Sequence, residues 1–146
     1  GAGLVDHGLV KSAAIATFAR DTIAQFNVKC GSEHSLARTL SGGNLQKFIV
    51  GRETLLQPKV MVVAQPTWGV DIGASQLIRQ SLIDLRNRGA AVLVISEELD
   101  ELYSMCDRLA VISRGRLSPT RPTGELPVET VGVWMTGDFP SGAAHA

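Results

Sequence analysis

The chain is short of what marks a nucleic-acid binder, a metalloprotein or a membrane span. Aromatic residues make up 5% and charged residues 19% of its 146 positions, and 14 basic side chains are balanced by 14 acidic ones. Proteins that grip nucleic acid usually carry a basic face with stacking aromatics, so this composition argues against that class. The small basic group Arg114, Arg116 and Arg121 reads as a solvated turn. Cys30 and Cys106 stand far apart and match no metal or redox spacing, which fits reduced cytosolic thiols. His7, His34 and His145 are scattered, so no ligand pair and no metal site are expected. The longest apolar run, Ala90 to Ile95, is strand-sized, far below a membrane span. Nothing reads as a signal peptide, so any connection to a membrane is expected to pass through a partner. There is also no G-x-x-x-x-G-K-[ST] loop to wrap phosphates; Gly1-Ala2-Gly3 has no lysine in register.

What is present centres on Leu40-Ser41-Gly42-Gly43-Asn44-Leu45-Gln46-Lys47. A serine and two glycines open a stretch in which Leu45, Phe48, Ile49, Arg52, Leu55 and Leu56 recur at helical steps until Gln57-Pro58. The first-turn N–H groups of a helix lack intrahelical partners, and the helix dipole favours an anion there. Glycine lets a phosphate approach the backbone with no Cβ in the way. The same residues also read as an ordinary serine N-cap followed by a flexible glycine pair.

The remaining pattern alternates strands and helices. Lys11 to Phe26 reads as an amphipathic helix with Ile15, Phe18, Ala19, Ile23 and Phe26 on one face, and Asn27 to Thr39 as a connecting loop. Val60 to Ala64, bounded by prolines, and Ala91 to Ser96 read as buried parallel strands. Between them, Gly73 to Arg88 is a helix with Ala74, Leu77, Ile78, Leu82 and Leu85 on one side and Gly89 at its end. A short helix from Glu98 to Cys106, a third strand from Arg108 to Ser113, a turn at Gly115 and a helix from Pro127 to Met135 follow. The acidic run Glu97, Glu98, Asp100 and Glu101 suits the first turn of a helix better than a metal site. Strand–helix–strand order predicts βαβ units and a parallel α/β sheet in one domain of ordinary size.

LSGGNLQK resembles the signature motif of the ATP-binding cassette (ABC) ATPases, and its Asn44 form is similar to that of bacterial importers for simple sugars and nucleosides. The likeness runs from about Ala13 to about Gly137. It implies the C-terminal half of a P-loop NTPase-like domain: a helical signature subdomain over 1–57, half of an α/β core over 58–137, and a flexible tail over 138–146. In that family the strand at Val60 to Ala64 is the Walker B strand, which normally ends in Asp-Glu; here Ala64 and Gln65 stand there. A histidine normally closes the next strand, where this chain has Glu97. Neither Ala64 nor Gln65 can hold Mg²⁺ as a carboxylate or take a proton from water, and Glu97 would repel a triphosphate. The phosphate loop, base-stacking strand and Q-loop glutamine of the family all lie upstream of the matched stretch.

The resemblance therefore implies a second, degenerate cassette with no catalytic residue of its own. Two cassettes sandwich ATP, each lending its signature to the other's site. Ser41, Gly42, Gly43, Asn44 and Gln46 are the expected ATP contacts in trans, and Asp71 the D-loop aspartate reaching the partner. Expected cofactors are ATP and Mg²⁺, held in the assembled dimer. Expected partners are a second cassette bearing a phosphate loop and transmembrane permease subunits, at the inner face of the bacterial plasma membrane. Trp68 replaces the usual arginine and could contact the partner or pack on Pro66. Other readings are a soluble non-transport ABC protein, or a structural half-domain without a nucleotide role.

Overall fold

The computed structural model describes residues 3–6 and 8–140, and its contacts divide the chain into two compact units, Gly1–Ile95 and Ser96–Ala146. In the first unit a short antiparallel pair, β1 (Val5–Asp6) and β2 (Leu9–Val10), leads into α1 (Ser12–Gln25). A single 3₁₀ turn, Ala37–Thr39, precedes α2 (Gly42–Leu55). Then come β3 (Val60–Ala64), α3 (Ile72–Asn87) and β4 (Ala91–Ile95). β3 and β4 pair in parallel from Val60↔Ala91 to Ala64↔Ile95, so β3–α3–β4 is the βαβ unit the sequence predicts.

α3 follows from its pattern. Ala74, Ile78, Leu82 and Leu85 recur at four- and three-residue steps and are all buried. Burial of each of the three larger side chains is worth about 1.5–3 kcal/mol before ordering costs. The helix stops in a Schellman turn: Ala90 N–H donates to Leu85 O, Gly89 N–H donates to Arg86 O, and Gly89 takes φ +94°. α1 stops the same way, with Asn27 (φ +47°) in the glycine role and Val28 N–H donating to Ile23 O.

α2 departs from the predicted face. Its buried side is Lys47, Val50, Gly51 and Thr54, whereas Ile49 and Leu56 are exposed. The stripe is set by α1: the buried Phe26 ring lies where a Cβ on Gly51 would be, 2.5 Å from Cδ2. Lys47 is 7% exposed, and its Nζ donates to Asn27 O at 2.6 Å. Thr54 closes its hydroxyl onto Val50 O. A lysine and a glycine on a buried face carry no hydrophobic signal, which is why periodicity picks the neighbouring stripe.

β3 and β4 are not buried on both faces, as their unbroken apolar runs predict. Met61 is buried, but Val60, Val62, Leu93 and Ile95 on the opposite face are exposed, Val62 at 63%. Among the described residues, β3 and β4 form a two-stranded sheet with one covered face.

In the second unit, α4 (Leu99–Met105) leads to β5 (Arg108–Leu109), β6 (Ile112–Ser113), β7 (Arg116–Leu117) and β8 (Arg121–Pro122). A 3₁₀ turn, Thr123–Glu125, and α5 (Val128–Met135) follow. The third parallel strand expected over 108–113 is absent. That stretch breaks into two antiparallel pairings, β5 with β8 and β6 with β7. Arg114 and Gly115 both adopt positive φ, the two-residue turn whose twist suits a hairpin. Buried Ser118 completes the turnback: its Oγ accepts from Val111 N–H at 2.8 Å.

Leu102, Leu109, Val111, Leu126, Val131, Trp134 and Phe139 form this unit's core. Within 138–146, the described residues are 138–140, and Phe139 meets Trp134 edge-on at 6.5 Å. Arg116 is not simply solvated: its guanidinium lies 4.9 Å over the Phe139 ring and donates to Gly137 O. Burial, then Asp107 and Glu101, push the Cys106 thiol above its ordinary pKa, which favours its protonated form.

The α1–α2 contact sets one prediction. Gly51→Ala gains up to about 1 kcal/mol of helix propensity but forces Phe26 to move in a packed core, a cost of about 1–3 kcal/mol. Thermal unfolding should show a lower midpoint; a higher one would contradict this packing.

Candidate functional site

The site is built at the start of α2. Ser41 is its N-cap, with extended backbone, and the helical ladder begins where Leu45 N–H donates to Ser41 O. The N–H groups of Gly42 and Gly43 lie ahead of that ladder. Ser41 Oγ accepts from Asn44 N–H at 3.4 Å and from Asn44 Nδ2 at 2.9 Å. Asn44 Oδ1 in turn accepts from Lys29 N–H at 2.9 Å.

The loop after β3 braces this helix start from the other side. Gln46 Nε2 donates to two consecutive carbonyls, Gln65 O at 3.1 Å and Pro66 O at 3.0 Å. Gln65 sits in the left-handed region at φ +49°, held also by its N–H donating to Ile95 O at 2.7 Å. Such a conformation costs a non-glycine residue of order 1 kcal/mol, which these bonds offset. Two turns carry the chain onward, Trp68 N–H donating to Gln65 O and Val70 N–H to Thr67 O. Gly69, within the second of them, takes φ +71°.

The two glycines of the motif answer different demands. A Cβ on Gly43 would sit 3.0 Å from Gly69 O, tighter than an ordinary Cβ contact, so a side chain there obliges that carbonyl to give. A Cβ on Gly42 would meet nothing within 4 Å. Bareness at Gly42 is therefore not required by the described fold, and Ser41 and Gly42 are both exposed.

The other residues singled out from sequence are distributed as follows. Asp71 is the N-cap of α3, its Oδ1 accepting from Ala74 N–H at 2.8 Å. Trp68 is 78% exposed while Pro66 is fully buried, so the indole is not packed down on the proline. Ala64 ends β3, and Gln65 follows it. Glu97 is exposed in the second unit. Of the acids near it, Asp100 and Glu101 lie in the first turn of α4 as expected. Glu101, however, is buried, and its Oε2 accepts from the Ser96 hydroxyl at 3.1 Å. The structure thus gathers Ser41, Gly42, Gly43, Asn44, Gln46 and Gln65 into one braced corner. Among them, the amides of Asn44 and Gln46 have partners within the chain. Sequence reasoning missed Lys29, Lys47 and Gly51 as supports. Only the backbone N–H of Lys29 takes part, and no residue pattern reports that.

A helix start with unladdered N–H groups, a serine hydroxyl and an uncovered glycine fits phosphate oxygens. Ala64 and Gln65 do not fit Mg²⁺, because neither brings a carboxylate. Among the described residues no group of three or more His, Cys, Asp or Glu could hold a metal ion. Among them also, no helix is long and apolar enough to cross a membrane.

The fold is that of an ABC cassette segment. It superposes on the dimeric cassette MJ0796, from a bacterial ABC transporter, with a TM-score of 0.69 at 18% identity, over 81% of this chain and 51% of that one. The ATP-binding subunit of another ABC transporter aligns with a TM-score of 0.68 at 17% identity, over 90% of this chain and 53% of that one. No family model matches the chain. In sequence it is 40% identical over 128 residues to the guanosine import ATP-binding protein NupO of Bacillus subtilis (strain 168), covering 88% of this chain and 25% of NupO. It is 39% identical over 131 residues to the nucleoside import ATP-binding protein NupA of Lactococcus lactis subsp. cremoris (strain MG1363), covering 90% of this chain and 26% of NupA. The ribose import ATP-binding protein RbsA of Lactococcus lactis subsp. lactis (strain IL1403) is 34% identical over 133 residues, covering 91% of this chain and 27% of RbsA. The chain belongs to the ABC ATPases, with ATP-binding proteins of nucleoside and sugar importers as its relatives. It spans about a quarter of the length of those relatives.

The unequal glycines give a paired prediction. Gly42→Ala should hold or raise the unfolding midpoint, since alanine is favoured over glycine in a helix by up to about 1 kcal/mol. Gly43→Ala should lower it, because the Gly69 carbonyl must move. Equal midpoints for the two variants would contradict this account.

Proposed function

We propose that this chain is part of the ATP-binding subunit of an ABC importer and lends its signature segment to an ATP site completed by another cassette. The carrying observation is that Ser41 and Gly42 are both exposed at the start of α2, where a Cβ on Gly42 would meet nothing within 4 Å among the described residues. In this reading residues 1–57 act as the signature subdomain and 58–137 as half of the α/β core, with 138–146 as its tail. The exposed apolar face of β3 and β4 is where the rest of such a core packs.

The roles follow from the chemistry present. The N–H groups of Gly42 and Gly43 and the Ser41 hydroxyl face phosphate oxygens of ATP presented by the partner cassette. Fixed donors at a helix start stabilise the charge carried by a phosphoryl group during transfer. Asn44 and Gln46 belong to the same corner, and Asp71 caps the helix behind the loop that meets the partner. Ala64, Gln65 and Glu97 occupy Walker B and switch positions without a carboxylate on Mg²⁺, a base for water or a histidine. This chain's own half-site therefore binds without hydrolysing, and magnesium is held by the partner's residues. ATP use then drives uptake of a nucleoside or sugar through separate permease subunits at the cytoplasmic face of the membrane.

The test is steady-state ATP turnover of the full-length polypeptide carrying Gly42→Asp. A carboxylate set where the phosphate belongs should reduce turnover by roughly 100-fold or more, on the scale of losing an oxyanion donor. Unchanged turnover would mean the motif is vestigial and would favour a structural half-domain.

A further inference from the structure

Asn44 has a more specific task than touching nucleotide. A serine hydroxyl offers one hydrogen and two acceptor lone pairs. At Ser41 both acceptor directions are addressed by one residue, Asn44, through its backbone N–H at 3.4 Å and its Nδ2 at 2.9 Å. The function left to Ser41 is donation of its O–H hydrogen. Ser41 is exposed, as is Gly42 after it. A hydroxyl so constrained suits an acceptor carrying no hydrogen, such as an ionised phosphate oxygen.

The orientation of the Asn44 amide is itself fixed from outside the motif. Its Oδ1 accepts from Lys29 N–H at 2.9 Å. Reversing the amide would put Nδ2 against that N–H, losing the bond, and would set an oxygen against Ser41, drawing the hydroxyl hydrogen inward. Lys29 follows the Schellman turn that ends α1, beside buried Val28, whose N–H donates to Ile23 O. Lys47 Nζ ties the same turn to α2 through Asn27 O at 2.6 Å. The amide is thus registered against a core-anchored turn.

We propose that Asn44 is a positioning residue that makes Ser41 a one-way hydrogen-bond donor toward a phosphate oxygen, with its own amide set by the backbone of Lys29. The proposal rests on the signature reading above, and its test separates the two.

The experiment is a double-mutant cycle in ATP turnover by the full-length polypeptide, using Ser41→Ala with Asn44→Asp and with Asn44→Ala. In Asn44→Asp the side-chain atom facing Ser41 loses its hydrogens, so the hydroxyl turns inward to donate to it. Asn44→Ala releases the hydroxyl without adding charge. Each Asn44 variant should lower kcat by about tenfold or more, on the scale of a misdirected transition-state donor. On the Ser41→Ala background neither should lower kcat further, an absence of additivity that a merely structural role or charge repulsion would not produce. Further loss on that background, or full turnover in the Asn44 variants while Ser41→Ala is impaired, overturns the positioning role and leaves the signature reading standing. Full turnover in Ser41→Ala overturns both. Should Asn44→Asp misfold, as its unfolding midpoint would reveal, Asn44→Ala alone decides.

Discussion

The close seating of the start of α2 against the loop after β3 is the constraint on which the first unit depends. Gly43 sits where an added Cβ would crowd Gly69 O at 3.0 Å, and Gln46 reaches two carbonyls on the same loop. Those bonds hold Gln65 in a left-handed conformation and set where β3 ends and the loop to α3 begins. On the far side, Phe26 fills the space that Gly51 leaves. α2 is thus wedged between α1 and the β3–α3 connection by glycine contacts and polar braces rather than by a wide apolar stripe. A helix held in this way keeps its first turn rigid, which a phosphate site made of backbone N–H groups requires.

Rigidity at the back and bareness at the front belong together. Asn44 and Gln46 sit next to the glycines yet bond inward, one to the turn after α1 and the other to the loop after β3. The outward surface is left to Ser41 and Gly42. The reading of this chain as an ATP-site contributor rests on that division between residues that brace and residues that present. Gln65 serves the fold through its backbone, its carbonyl accepting from Gln46 and its N–H donating to Ile95 O.

Much of this was legible in the sequence, and the exceptions share a cause. The α3 face, the βαβ order, the serine cap and the proline-bounded strand follow from patterns that single residues carry. The buried face of α2 was not legible, because Lys47 and Gly51 are buried by virtue of what α1 places against them. The stretch over 108–113 reads as one strand from its apolar run, but two successive positive-φ residues at 114 and 115 make a local hairpin cheaper than a long-range parallel pairing. Trp68 left two readings open, and its exposure removes packing on Pro66. The inward bonding of Asn44 depends on the backbone N–H of Lys29, which has no side-chain signature. The motif and its serine cap were visible in the sequence, and the bracing around them was not.

The central claim is that this corner touches the phosphates of an ATP held by another cassette. The most direct measurement is photo-crosslinking of the assembled full-length ATPase with an ATP analogue carrying the reactive group on its γ-phosphate, followed by mass spectrometry of the labelled peptides. The account predicts an adduct on the peptide containing Ser41 to Gln46, lost when unmodified ATP competes. Labelling that leaves this peptide untouched while other cassette peptides are modified would contradict it.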